Sequence, residues 1–462
     1  MTGRRHVAAW LAAGCLLGFA AGPGTAESLR EAVRAAVTSN PSQRAATAEM
    51  QAAALGLLEL RREYTPRLTL TASAGAERVD NPSSLSAADN ATTKLARQVG
   101  LSAEYVLFDG YRRANLVYGG AARLDGAIYR LLDASDAMAL SAVQAYADVV
   151  RHAQLVGIAR ENVETHRRYE RQVRTAVDGG TLPASDGFTV ADRVLAAELA
   201  LTEVEKALAD AQARYQTVMG HPASSPMSLP PPSGLPRSRD ALVRAALANH
   251  PQIALAEARV AQRESEAAVD RAATRPRVTL NAEASAGGDL AGSSGNENRL
   301  FLGARMSWTL FEGGRAERAG AFDARTAQAE AGREAAAREV REIALRAWTA
   351  QDSAIETVAL LRRQERANAR IAEQQRLEFE AGERTLLDLL EAERALFNVR
   401  FQRISAEAGL VYAQYGVLAA QSGLAAHFGV GPSGVALLPG YADRAEADPR
   451  GTVFDTRIAP LE

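Results

Sequence analysis

Two stretches of the chain, SLREAVRAAVTSNPSQ (Ser28 to Gln43) and SRDALVRAALANHPQI (Ser238 to Ile253), are copies of one pattern. A shift of 210 residues aligns them without a gap, and the same shift aligns residues 66–70 with residues 276–280. Self-similarity over such a distance is typical of a fold built from repeated structural units. The chain is therefore predicted to contain two copies of one unit.

The repeat continues further along each copy. LFDG (residues 107–110) matches LFEG (residues 310–313) at a shift of 203, and the seven lost residues fall in a polar stretch where a loop tolerates a change in length. Residues 221–237 contain six prolines and are predicted to form an extended linker. The first copy then spans residues 27–220 and the second spans residues 238–428.

Each copy contains two stretches in which apolar and polar side chains alternate, which is the pattern of a half-buried β-strand. These stretches predict hairpins at 67–108 and 277–311, with strands long enough to cross a bilayer at a tilt. Aromatic residues near the strand ends suit an interfacial girdle: Tyr64, Phe108, Tyr111, Trp308 and Phe311. The hairpins of a soluble protein would alternate in the same way, so that alternative stays open.

Four strands cannot close a barrel. In lipid, an open sheet edge leaves unpaired backbone groups that each cost several kcal/mol. Bacterial barrels contain an even number of strands, eight or more. If these strands span a membrane, identical chains must therefore pool them, and both a dimer and a trimer would satisfy the rule.

Two uninterrupted helical stretches, 112–177 and 315–380, follow the hairpins. Roughly 65 helical residues extend for about 100 Å, and apolar residues at multiples of seven predict coiled-coil packing, although a helical rod or plain bundle would share this pattern. Each stretch ends in a turn that leads to a returning helix, 185–219 or 384–421, with Ser185 as the predicted N-cap of the first. Each unit is thus predicted to contain one helix, a hairpin, a long helix and a returning helix.

The two ends of the chain have different compositions. Residues 1–26 contain a basic patch, an apolar run, helix breakers and small residues, which predicts a secretory signal peptide cleaved after Ala26. A retained anchor is the alternative, but the apolar run is short for a membrane helix. Removal of the signal would also remove Cys15, the single cysteine, and with it any disulfide or thiolate site. Residues 429–462 are predicted to be an irregular tail.

Charge and motifs argue against several function classes. The 53 basic and 55 acidic residues nearly cancel, so no global field attracts nucleic acid. The six histidines show no H-E-x-x-H spacing, and the G-x-G-x-x-G match at 429–434 follows a helix rather than a strand. The sequence therefore predicts no enzyme active site, no metal site and no cofactor.

The run FEAGERTLLDLLEAERALFNVR (Phe379 to Arg400) resembles the signature of the TolC family of outer-membrane factors. The two-copy plan, the LFDG and LFEG strand ends and the signal peptide agree with it. The resemblance implies a mixed α+β protein of the cell outer membrane. In that fold, four strands per chain contribute to a twelve-stranded β-barrel of a homotrimer, and the long helices form a coiled-coil α-helical barrel through the periplasm. The partners it implies are a periplasmic adaptor (membrane fusion) protein, an inner-membrane ABC exporter or RND pump, and outer-membrane lipid.

The branch of the family is a separate question. The RTLLDLLEAE run and residues 346–348 are more similar to type I protein secretion than to multidrug efflux. An efflux role stays open as the alternative, and a structural coiled-coil surface protein is the alternative of a different class.

The gate at the periplasmic end of the family carries over to six matching positions: Phe379, Arg384, Asp388, Glu391, Ser185 and Asp186. Phe379 and Glu391 replace a tyrosine and an aspartate of the family pattern. The resemblance implies that three chains place six carboxylates around one aperture, which favours cations, and that Arg384 bonds Ser185 and Asp186 to hold the gate shut. Helix capping and solvated surface charge are the alternative explanation of these residues.

Overall fold

The structure is a computed structural model that describes residues 27–224 and 227–430. The predicted signal peptide with Cys15 and the cleavage site after Ala26 lie outside the described residues, as does the tail from residue 431 onward. Within the described ranges, no helix is both long and apolar enough to cross a membrane.

The two copies have the same order of elements. The first contains helices α1 (Leu29–Ser39) and α2 (Pro41–Arg62), strands β1 (Arg67–Arg78) and β2 (Thr93–Phe108), and helices α3 (Arg112–Asp178) and α4 (Ala184–Met219). The second contains α5 (Arg239–Asn249), α6 (Pro251–Ala272), β3 (Arg277–Gly288), β4 (Asn296–Ser307), α7 (Arg315–Glu380) and α8 (Leu386–Ala420). A short helix, α9 (Leu424–His427), follows.

Each copy begins with two helices, where the sequence predicts one. Asn40 and His250 are extended, and their side chains cap the following helices by accepting hydrogen bonds from the backbone N–H groups of Ser42 (3.0 Å) and Gln252 (3.3 Å). A proline occupies the first position of each second helix, where the missing N–H breaks no helical hydrogen bond. The same proline prevents the preceding helix from continuing through this point. The prediction of a single helix was therefore wrong.

The four strands form one antiparallel sheet in the order β1-β2-β3-β4. Its register places apolar side chains in rows across one face, because Leu101 of β2 lies opposite both Leu70 of β1 and Ala284 of β3. The other face is polar and carries a bond of 3.0 Å from Arg277 to Glu104. Strand β4 ends at Ser307, short of the predicted hairpin end at residue 311. The sheet thus has one face suited to lipid, one suited to water, and two open edges, β1 and β4.

The long helix α3 packs against α2 and α4 of its own copy and against α6 and α8 of the second copy, while α7 packs against α6 and α8. In the half of the molecule away from the sheet, this arrangement leaves α4 and α7 as the outermost helices. The largest apolar cluster includes Tyr146 and Tyr215, which are both fully buried. Their hydroxyls donate to the backbone and side-chain oxygens of Glu27, at 3.0 and 2.7 Å. Burying an aromatic ring with its hydroxyl satisfied typically contributes several kcal/mol, about 3–5 kcal/mol when judged by truncation to alanine.

A partly buried carboxyl on α3 predicts a pH-dependent stability. Burial raises the pKa of Asp125 to about 6. Because folding favours the protonated form, this group stabilises the fold most below its unfolded pKa of about 4, and the contribution is lost as the pH rises through about 6. Asp125→Asn should therefore raise Tm at pH 7.5, by about 2 °C, and change it little at pH 4.

Thermal unfolding followed by circular dichroism at both pH values measures this difference. Asp192→Asn, on the exposed face of α4, is the matched control and should leave Tm unchanged at either pH. An equal shift for Asp125→Asn at both pH values would mean that protonation is not the cause.

Candidate functional site

The turns after α3 and α7 lie at the same end of the molecule. One buried apolar cluster joins residues from α3, α4 and α8, and Phe379 of α7 packs against it: Tyr169, Val173, Val190, Leu386, Leu389 and Leu390. We call this end, residues 169–199 and 371–394, the tip. The helices α3 and α7 have 67 and 66 residues, which separates the tip from the sheet by about 100 Å.

The two turns at the tip have the same geometry. Gly180 and Gly382 adopt positive φ angles of 74° and 77°, which glycine accepts without strain. In each turn, the residue after the glycine donates its N–H back to the last turn of the helix, Thr181 to Ala176 at 2.9 Å and Glu383 to Glu378 at 2.8 Å. These are the bonds of a Schellman helix end. The repeat seen in the sequence therefore extends to the backbone of the tip.

The second turn folds Arg384 back onto α7. Its Nε donates to Glu378 Oε2 at 2.8 Å, and Glu378 also accepts from Gln374 at 2.7 Å. The bonds from Gln374 and Arg384 lower the pKa of Glu378. The resemblance implied that Arg384 bonds Ser185 and Asp186, but within the chain its partner is Glu378, because the Schellman turn brings residue 384 beside the last turn of α7.

Asp388 takes part in capping α8. Thr385 is the N-cap residue, and its hydroxyl accepts from the Asp388 backbone N–H at 3.2 Å and donates to Asp388 Oδ2 at 2.9 Å. A Thr followed three residues later by an acidic residue is a recognisable helix start, so the sequence contained this signal. Capping, which was the alternative explanation, thus describes one role of this carboxylate.

Glu391 lies three residues beyond Asp388, on the same face of α8. Its carboxylate contacts Arg394 at 2.6 Å and Arg193 of α4 at 3.7 Å. The contact with Arg193 ties the returning helices of the two copies together, and sequence reasoning missed it because it joins residues about 200 positions apart. The two carboxylates are half-buried and remain accessible to water.

Ser185 and Asp186 lie in the first turn of α4. The sequence predicts Ser185 as the N-cap, but the helix begins at Ala184 with Pro183 as the N-cap residue, so this prediction was wrong. Proline supplies the extended conformation that starts the helix, and Asp186 is placed where the helix dipole favours a negative charge.

Phe379 is half-buried against the apolar cluster of the tip. Beside it, the Tyr169 hydroxyl donates to Glu393 Oε1 at 2.7 Å. Burial and this carboxylate raise the pKa of Tyr169. These contacts fix the packing of α3 against α8 and support the turn that carries Arg384.

The outermost helices also expose apolar side chains at the tip. Phe188, Leu195 and Leu199 of α4 are 78%, 65% and 63% exposed. On α7, Ile371 and Leu377 are 52% and 48% exposed. Phe188 and Leu195 are seven residues apart, the spacing of a coiled-coil seam. A row of this kind, on the side of an outermost helix that faces away from its neighbours in the chain, marks a surface for another chain.

The predicted aromatic girdle lies at the opposite end, where the strands meet the helices. Tyr111, Trp308 and Phe311 are 45%, 54% and 88% exposed. Trp308 donates its indole N–H to the carbonyl of Thr274 at 3.0 Å. Phe108 packs edge-on against Tyr111, with ring centroids 6.1 Å apart.

The fifth girdle residue has different surroundings. Tyr64 is half-buried, with the Arg113 guanidinium 4.4 Å from its ring centroid.

Among the residues that the structure describes, no group of histidine, cysteine, aspartate or glutamate side chains is arranged to hold a metal ion.

Comparisons with known proteins agree with this architecture. A family profile described as outer membrane efflux protein matches residues 32–221 and 242–421. The outer membrane efflux protein BepC of Brucella suis biovar 1 (strain 1330) is 28% identical over 329 residues, which cover 69% of this chain and 71% of BepC. The pyoverdine export outer membrane protein OpmQ of Pseudomonas aeruginosa is 26% identical over 330 residues, covering 67% and 68% of the two chains.

Solved structures share the fold. The outer-membrane channel OprN superposes with a TM-score of 0.74 at 23% identity, and the match covers 86% of this chain and 90% of OprN. Both copies, including the sheet and the long helices, therefore belong to one known architecture.

Proposed function

Because the chain belongs to the outer membrane efflux protein family, the TolC-like channels of the outer membrane, we propose that it is the exit duct of a type I protein-secretion system. The observation that supports this branch is the run RTLLDLLEAE (Arg384 to Glu393), which lies in the tip and resembles the type I secretion branch of the family, as do residues 346–348. The proposed partners are a periplasmic adaptor protein and an inner-membrane ABC exporter.

Membership of the family identifies the class of protein and its location. Its members are trimeric channels that extend from the outer membrane into the periplasm and work with adaptor proteins and inner-membrane pumps. The chain is therefore a channel protein rather than an enzyme. The alternatives of a soluble hairpin protein and of a structural coiled-coil surface protein are set aside.

Export of small molecules is the second candidate, which the names of BepC and OpmQ favour. The proposed inner-membrane partner would then be an RND pump. Deletion of the gene, followed by complementation, separates the two. Loss of a specific protein from the culture medium, with unchanged drug susceptibility, is the result expected for protein secretion. Increased drug susceptibility with an unchanged set of secreted proteins would contradict that assignment and support efflux.

The open edges require copies of the chain to pool their strands, and the trimeric assembly of the family gives the number of copies as three. We propose that β4 of one copy pairs with β1 of the next, giving twelve strands with no free edge. The outermost helices α7 and α4 would then meet as antiparallel neighbours. Their exposed side chains lie at matching distances from the helix ends at the two turns, about 5 and 14 Å for Leu377 and Ile371 of α7 and about 6 and 17 Å for Phe188 and Leu195 of α4.

In this trimer, Asp388 and Glu391 of each copy form the gate. Three copies place six carboxylates around the narrow end, and such a ring attracts cations and repels anions. Arg384 and Glu378 hold the turn that leads into α8. We propose that this ion pair keeps the start of α8, and therefore the ring, in its closed position.

Arg384→Ser should loosen the gate. A trimer loses three Arg384–Glu378 ion pairs at once, so the closed-to-open equilibrium should shift towards the open state by about tenfold. Single-channel recording in planar bilayers should show a higher open probability and a larger mean conductance.

Two further variants test whether Glu378 is the residue that pairs with Arg384. Glu378→Gln, which removes the other half of the ion pair, should reproduce the effect. Arg174→Ser is the matched control, because Arg174 lies near the first turn in a loose pair with Glu170 at 4.0 Å, and it should conduct as the wild type does. Wild-type recordings for Arg384→Ser would count against the proposed latch.

A further inference from the structure

Arg97 stands on the apolar face of the sheet. In β2 it shares its face with Val99 and Leu101, and the register places it opposite Ala74 of β1 and Gly288 of β3. The strand arginines 277, 299 and 305 lie on the polar face, as the register of β3 and β4 shows. Arg78 also faces outward, but it lies at the last position of β1. Arg97 is therefore the cation that reaches furthest into the lipid-facing surface.

The surroundings of Arg97 form a shallow polar cradle. A methyl group at Gly288 would lie 3.2 Å from Arg97 Nε and 3.2 Å from Asn296 Oδ1, so the Arg97 guanidinium and the Asn296 amide both lie beside the bare backbone of Gly288 in β3. Asn298 is the next residue of β4 on the same face. A groove of about 690 Å³ runs here, lined among others by Ala74, Arg97, Val99, Ala286, Asn296 and Asn298.

Arg97 has no counter-ion in the described part of the chain, where it forms neither an ion pair nor a side-chain hydrogen bond. Arg277, on the opposite face, is paired with Glu104 at 3.0 Å. A lipid-facing arginine costs about 2–4 kcal/mol at the bilayer midplane and about 0–1 kcal/mol near the interface. An anion from outside the chain would offset this cost.

The position of Arg97 along the strand fixes its depth. Tyr105, near the aromatic end of β2, lies eight residues away on the same face. Eight residues of strand extend for about 26 Å, which at a tilt of about 40° is roughly 20 Å of depth, so Arg97 lies close to the outer edge of an apolar band about 25 Å tall, where a long cationic side chain can extend to the interface. With the aromatic end at the periplasmic interface, Arg97 reaches the headgroups of the outer leaflet.

We propose that Arg97, Asn296 and Asn298 bind the phosphate of an outer-leaflet lipid headgroup. The guanidinium can donate two parallel N–H bonds to phosphate oxygens, and the asparagine amides can donate further bonds. Ala74, Val99 and Ala286 provide an apolar surface for the acyl chains. The site rests on the proposed function only in requiring that the sheet lies in the outer membrane, and a trimer carries three such sites.

Native mass spectrometry of the purified full-length trimer tests the site, with phosphatidic acid as the probe and phosphatidylcholine as the neutral reference. Wild type should retain phosphatidic acid preferentially, and Arg97→Gln should weaken this retention about tenfold, the value of one charge-assisted bond. Arg299→Gln makes the same change in charge on the polar face and should retain lipid as wild type does. Equal retention by wild type and Arg97→Gln, or equal loss in both variants, would overturn the proposal.

Two additional measurements separate the possible explanations. Excess inorganic phosphate should leave the bound phosphatidic acid in place, and its full displacement would mean that the cradle binds free phosphate instead of a lipid. Single-channel conductance of Arg97→Gln should equal that of wild type, because the gate is at the tip. A wild-type protein that bound the lipid but formed no channel would contradict the proposed function and leave the lipid site supported.

Discussion

Replacing Asp388 and Glu391 together, as D388N/E391Q, is expected to abolish most of the cation selectivity of the open channel. In a trimer the double variant removes six negative charges from the proposed gate. Charged rings control ion selectivity at close range, where little water screens them. Reversal potentials measured across a KCl gradient in planar bilayers should show the cation-to-anion permeability ratio falling about tenfold, towards unity.

The two substitutions should leave the tip folded. An asparagine at position 388 can still accept the hydrogen bond from the Thr385 hydroxyl, so the cap of α8 remains. Glu391 loses its contacts with Arg394 and Arg193, which are partly exposed pairs worth less than about 1 kcal/mol each. Glu383→Gln removes a negative charge in the turn between α7 and α8, close to these two residues. It is the control and should keep wild-type selectivity. Unchanged selectivity in D388N/E391Q would place the selective part of the pore elsewhere.

The sequence carried most of the information for the fold. Strand alternation was enough to assign the two faces of the sheet, because the side-chain period of two fixes which residues share a face. The long helices could be located because no proline interrupts them, and α3 runs from Arg112 to Asp178 where the sequence predicts 112–177. The Asn40-Pro41 pair stood in the sequence, but the division into two helices depends on the capping hydrogen bond of Asn40. Hydrophobic periodicity does not detect such a bond.

The candidate site was less predictable. The residues at the tip were found through the family resemblance, but the partner of Arg384 depends on how the turn after α7 closes, and Glu378 was therefore missed. The exposed row on α4 was missed for a related reason. Leu195 and Leu199 look like core residues in a heptad pattern, and only the position of α4 at the outside of the chain leaves them without a partner.

The double variant L195D/L199D is expected to prevent the chain from forming trimers. In the proposed assembly, both leucines pack against α7 of the neighbouring copy. An unpaired carboxylate buried in that seam costs several kcal/mol. The trimer has three such seams, and the double variant places two carboxylates in each of them. The heat-modifiable trimer band of membrane extracts, together with light scattering of the purified protein, should show monomers in place of trimers.

The matched control is Thr202→Asp, which adds a carboxylate on the same exposed face of α4, beyond the apolar row. There the neighbouring positions are Glu203 and Lys206, so a charge can remain hydrated, and the trimer should persist. Because all three altered side chains are exposed in the single chain, their replacement should not disturb its own core, and far-ultraviolet circular dichroism should match wild type. Trimers of L195D/L199D as stable as those of wild type would mean that this row faces the periplasm or an adaptor, and the seam between copies would have to be sought on another face of α4.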